Sequence, residues 1–69
     1  MASPARKQRL IMDFIRQFIG SHGYSPSIRE IQAGVVISSP SVVAYHLGLL
    51  EAKGRIARTP GIARSIRVL

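Results

Sequence analysis

The chain has 69 residues, enough for one domain, and 46% of them are apolar, as in a globular rather than a disordered chain. Ten Lys and Arg against three acidic residues give a net charge of +7, which points to an anionic partner, with nucleic acid ahead of a membrane surface. There is no cysteine, so disulfides and thiolate metal sites are excluded.

The first helix is expected over about 4–21. Ser3 caps it and Pro4 takes its first position. Leu10, Ile11, Phe14, Ile15, Phe18 and Ile19 form an apolar stripe at helical period, with Arg9, Asp13, Arg16 and Gln17 on the other side. Gly20 and Gly23 are expected to end it. A stretch "MASPARKQR" has no apolar core, so it is not a secretory signal.

A short second helix is expected over about 28–33. Ser27 and Glu30 form an S-x-x-E capping box, with Pro26 just outside and Ile28 and Ile31 facing in. "VVISS" connects it to a third helix over about 40–53, opened by Ser39 and Pro40 and stopped by Gly54. Val43, Leu47 and Leu50 are its inward row. Residues 31–50 contain no Lys, Arg, Asp or Glu, but Pro40, the serines, Gln32 and His46 argue against a membrane span.

The tail alternates by two in "RIAR" and "RSIRVL" around "TPGIA". That predicts a hairpin turning at Pro60-Gly61. A lone hairpin is marginal, so Ile56, Ile66 and Val68 must pack on the helices. The expected fold is mainly α with a small β-hairpin: a single domain over 1–69, three helices followed by a two-stranded wing. A short helix, a turn and a second helix make a helix-turn-helix, and the hairpin supplies the wing.

The third helix is unusually bare outside: Ser41, Tyr45, Gly48 and Ala52 carry no charge. A helix entering the major groove must bring its backbone near base edges, and a slim face permits that. Ser39, Ser41, Ala44 and Tyr45 are therefore candidate base-reading residues; Tyr45 can also meet a thymine methyl. Gly48 costs about 1 kcal/mol relative to Ala in a helix interior. Packing against another helix is the first expectation for what offsets it, and close approach to DNA the second.

The cations surround this helix instead. Arg6 and Lys7 crowd the start of the first helix, and Arg29 that of the second, where they oppose the helix dipole unless an anion such as phosphate is present. Ser27 can cap and also meet a phosphate. Lys53 and Arg55 follow the third helix, and Arg58 and Arg64 flank the wing turn. By strand alternation Arg64 and Arg67 fall on opposite faces, so at most one serves DNA, and Arg64 is taken as that phosphate contact. His22 and His46, three carboxylates and two lysines form no catalytic or metal-binding motif, so neither enzyme chemistry nor any cofactor is expected. The alternative function is a winged module for protein or structured RNA. It would call for an exposed apolar patch or stacking aromatics.

The blocks "YSPSIREI", "SSPSVVAYHLGLLEAKG" and "ARSIRVL", in this order and spacing, resemble the N-terminal DNA-binding domain of the LexA family of SOS-response repressors. The resemblance runs from about Arg6 to Leu69. It implies a winged helix-turn-helix that binds a palindromic double-stranded operator as a dimer, in a prokaryotic cytoplasm and nucleoid. It implies that Ser39, Ser41, Val42, Ala44 and Tyr45 face the bases. It implies phosphate contacts from Arg6, Lys7, Ser27, the Ile28 backbone N–H, Arg29 and Lys53, and a wing tip near Thr59-Pro60-Gly61 close to the partner's wing.

Three departures stand out. The family commonly has "ALGLSSPS" where this chain has "GVVISSPS", so Val36 replaces the turn glycine and Gly34 appears two residues earlier. Val36 is expected to keep a negative φ and Gly34 to take the special conformation. Ala44 and Tyr45 replace reading residues that vary among family branches, so the resemblance does not fix the operator sequence. The family's C-terminal half, with its Ser-Lys dyad and main dimer contacts, has no counterpart in these residues. Self-cleavage is therefore not expected, and the isolated chain is expected to be a monomer that pairs on DNA.

Overall fold

A computed structural model describes residues 4–69. The elements are α1 (Pro4–His22), α2 (Ile28–Val35), α3 (Pro40–Ala52), β1 (Ile56–Ala57) and β2 (Arg67–Val68). The expected cap Ser3 lies outside the described residues.

α1 buries Ile11 and Ile15 completely and Met12 almost so. The apolar stripe is two residues wide and therefore has an edge. The core lies toward Ile11 and Ile15, which leaves Leu10 46% exposed, contrary to its place in the expected stripe. Gly20 does not end the helix. It sits inside, and the stop comes at Gly23, which takes φ +78° and donates its N–H to the Ile19 carbonyl at 2.8 Å.

α2 opens on the expected capping box. Ser27 Oγ accepts from Glu30 N–H at 3.2 Å, and Glu30 Oε1 accepts from Ser27 N–H at 2.8 Å. The helix runs to Val35, two residues past the expected end. Val36 then adopts φ 58° and ψ 64°. The expectation for this turn was therefore wrong: Val36, not Gly34, takes the left-handed conformation. Packing explains the glycine at position 34: a Cβ there would collide with the Phe14 ring of α1. That glycine lies inside α2, where two helices meet, and the residue that reverses the chain after the helix ends is a valine. Val36 and Ile37 both donate N–H to the Gln32 carbonyl, the latter at 3.0 Å, and Ile37 is buried by the reversal.

The axes of α2 and α3 bend by 101°, within the range of a helix-turn-helix. Ser39 caps α3 by accepting Val42 N–H at 3.3 Å, and Pro40 follows. Val43, Leu47 and Leu50 are buried, as their spacing requires. Gly54, at φ +73°, lets the chain leave, and Arg55 N–H closes on the Leu50 carbonyl at 3.0 Å.

The wing is an antiparallel pair, with Ile56 opposite Val68 and Ala57 opposite Arg67. Pro60-Gly61 forms the turn: Ile62 N–H reaches the Thr59 carbonyl at 3.2 Å and Gly61 has φ +76°. The strands are far shorter than the alternation predicts. Ser65 takes over the pairing, its Oγ accepting Thr59 N–H at 3.0 Å and donating to the Ile62 carbonyl at 2.8 Å. Arg64, at φ 56°, breaks the extended run. Ile56 and Ile66 are buried and Val68 packs against the same core, so the wing is fastened to the helices through its base. No single helix among the described residues is long and apolar enough to cross a membrane.

Candidate nucleic-acid interface

Helical geometry puts Ser41, Tyr45, Gly48 and Ala52 on the side of α3 opposite Val43, Leu47 and Leu50. Ser41, Gly48 and Ala52 are exposed, and Tyr45 is 62% exposed. Ala44 is half-buried at the edge of this face, and half-buried Val42 packs partly on the core. Ser39 accepts the cap bond, which leaves its hydroxyl hydrogen to donate elsewhere. A Cβ at Gly48 would meet nothing within 4 Å. The first expectation for Gly48, packing against another helix, is therefore corrected: its bare surface faces open space.

The N-terminal part of α1 lies beside α3. Lys53 Nζ donates to Gln8 Oε1 at 2.7 Å, joining the end of α3 to the second turn of α1. Lys7, half-buried, is close enough to His46 for its charge to act on the imidazole. Burial first, and Lys7 second, push the His46 pKa below its ordinary value. Among the described residues Nδ1 of this buried histidine has no hydrogen-bond partner. Arg6, on the same turn of α1, is exposed.

At the other end of the face, Arg29 is exposed on the first turn of α2. It shares a groove with Gln32, Val36, Ile37 and Pro40, the last being the first residue of α3. Ser27 and Ile28 begin the same helix, where backbone amides offer donors to an anion. Lys7 and Lys53 thus stand along one flank of the bare face and Arg29 at its start.

Arg64 does not join this set. It was expected to serve phosphate, with strand alternation deciding its side. It lies in a turn instead, and its Nη1 donates to Glu30 Oε1 at 2.7 Å and to the Ser25 carbonyl at 3.2 Å. The guanidinium also covers the Tyr24 ring, 4.9 Å from its centroid. Arg58 is likewise committed, to Glu51 at 2.8 Å. Sequence reasoning missed Gln8, which is buried and positions Lys53. A signal existed: Gln8 precedes Ile11 and Ile15 by three and seven residues, so it is a polar residue in the core register of α1.

The described residues contain no group of three or more His, Cys, Asp or Glu that could hold a metal ion. What the surface offers is a slim, uncharged helix face bordered by cations. The chain matches the family described as LexA DNA binding domain over residues 1–65. It is 55% identical over 62 residues to the LexA repressor of Roseiflexus sp. strain RS-1, covering 90% of this chain and 28% of that protein. It is 48% identical over all 69 residues to the LexA repressors of Herpetosiphon aurantiacus and Koribacter versatilis, spanning 32% and 33% of their lengths. The chain therefore spans about a third of the length of the relatives it matches.

Proposed function

The chain belongs to the LexA DNA-binding domain family, and from that membership we propose that it represses transcription by holding a palindromic operator. α3 enters the major groove. Ser39, Ser41, Val42, Ala44 and Tyr45 face the base edges. Arg6, Lys7, Arg29 and Lys53, with Ser27 and the Ile28 N–H at the start of α2, contact phosphates and fix the register. Two copies occupy the two half-sites, and a copy without DNA is a monomer. The setting is a prokaryotic cytoplasm.

The observation that carries this reading is the exposed, uncharged face of Ser41, Tyr45 and Gly48 between Lys53 and Lys7 on one flank and Arg29 at its start. Surface helices normally carry charge on their outer face. Leaving it off makes sense where a duplex backbone must come close.

Selection of bound sites from random duplexes tests the proposal. Two inverted half-sites are expected, with two chains per duplex by sedimentation and one chain per particle without DNA. A module for protein or structured RNA would enrich no duplex sequence. A tight dimer in the absence of DNA would contradict the monomer.

A further inference from the structure

We propose that this chain recognises its half-site mainly through the C5-methyl groups of thymine, received by Tyr45 and Ala44. The proposal rests on α3 being the groove helix, and it names what that helix reads.

Base pairs in the major groove are told apart chiefly by two-pronged hydrogen bonds. Arg or Lys selects guanine, Asn or Gln selects adenine, and Asp or Glu accepts from cytosine. None of these six residue types occurs between Ser38 and Leu50. The two that follow this stretch have partners within the protein, while Arg29 and Gln32 of α2 lie beside Pro40 at its start. Glu51 is paired with Arg58 at 2.8 Å, and Lys53 donates to Gln8 at 2.7 Å.

What remains toward the groove is the hydroxyls of Ser39, Ser41 and Tyr45, the apolar groups of Val42, Ala44 and Ala52, and the Tyr45 ring. A hydroxyl both donates and accepts, so by itself it discriminates weakly between base edges. The methyl of Ala44 and the ring of Tyr45 ask for an apolar feature. The major groove offers one that is specific to a single base, the thymine C5-methyl.

The ring is also held for this purpose. His46, buried at its side, meets Tyr45 edge-on with ring centroids 5.4 Å apart and planes at 68°. One turn further along, Gly48 presents no side chain, and a Cβ there would meet nothing within 4 Å. An exposed ring beside a cleared surface suits contact with a small apolar group.

The test uses the full chain and its selected duplex, with thymines replaced one at a time by deoxyuridine. This removes the methyl and keeps base pairing. Each methyl in contact is expected to be worth about fourfold in affinity. The loss appears at particular half-site positions and nowhere in the flanks. Replacing such a T·A pair by C·G weakens binding, and 5-methylcytosine at that site restores part of it. Tyr45→Phe keeps the uracil sensitivity, while Tyr45→Ala abolishes it at one position at least. The proposal is overturned if the selected sites keep G·C pairs and bind equally well with uracil throughout, or if Tyr45→Ala retains the full wild-type sensitivity. Failure to enrich any duplex sequence would instead remove the operator reading, and this inference with it.

Discussion

Arg64 and Glu30 meet through a single carboxylate oxygen: Arg64 Nη1 donates to Glu30 Oε1 at 2.7 Å, and that same oxygen accepts Ser27 N–H at 2.8 Å. One atom thus completes the capping box of α2 and fastens the wing to it. Arg64 adds a bond to the Ser25 carbonyl and a face-on contact with Tyr24. The wing has only two residues per strand, so side chains must supply what a ladder would otherwise provide.

Arg64→Ala is therefore expected to loosen the wing while leaving the helical core folded. Hydrogen-exchange protection falls for amides of residues 58–66 and not for those of α1. Arg64→Lys recovers only part of it, because a compact, strongly hydrated ammonium loses the planar guanidinium contact over the Tyr24 ring. The Glu30 carboxyl is held below its ordinary value of 4.5, first by the Ser27 backbone bond and then by Arg64. A depressed carboxylate stabilises fully above its unfolded value and loses that stabilisation as pH falls through its folded value. Wild-type wing protection thus declines only at acid pH, below the ordinary carboxylate range. Equal protection in the wild type and Arg64→Ala would show that the clamp is idle.

Val36→Gly is expected to raise stability by about 1 kcal/mol. A β-branched residue in the left-handed region costs about 1–2 kcal/mol, and the entropy that glycine loses on folding returns part of that. Val36 is 83% exposed, so little burial is lost. Gly34→Leu goes the other way, because its side chain would meet the Phe14 ring. Urea midpoints measure both, and a lower midpoint for Val36→Gly would mean that the turn is not strained.

His46 makes stability depend on pH near neutrality. Burial, and then Lys7, hold its folded pKa below the ordinary 6.5. The unfolded chain therefore binds the proton first. Stability is complete above about pH 6.5 and declines as pH falls from there toward the folded value. His46→Leu, which cannot take up a proton, flattens the urea midpoint between pH 7.5 and 5. The account fails if the wild type is already flat over that range.

Arg29 and Lys53 separate binding from folding. Arg29 is exposed, so Arg29→Ala leaves stability within about 0.5 kcal/mol. It weakens all duplex sequences alike and lowers the salt slope by about one. Lys53→Ala does the same to binding but also strands the carbonyl oxygen of Gln8, a residue only 6% exposed. A buried acceptor without a partner costs about 1–3 kcal/mol. Calorimetry beside DNA titration at several salt concentrations tells the two variants apart.

Sequence alone determined what can be decided within a turn or two of chain. The capping box at Ser27, the Ser39-Pro40 start, the Gly54 stop, the Pro60-Gly61 turn and the buried row of Val43, Leu47 and Leu50 all rest on spacings of four residues or fewer. So does the bare side of α3, because opposite faces of a helix follow from the same period. Tertiary structure decided the rest. Gly34 makes room for Phe14 from another helix, while α2 runs on to Val35 and leaves Val36 as the left-handed residue. Lys53 found Gln8 across 45 positions, and Arg64 found Glu30 across 34. Such pairings depend on how the helices cross and how far the wing folds back. That geometry is set by the joint packing of the core, so no local pattern of residues encodes it.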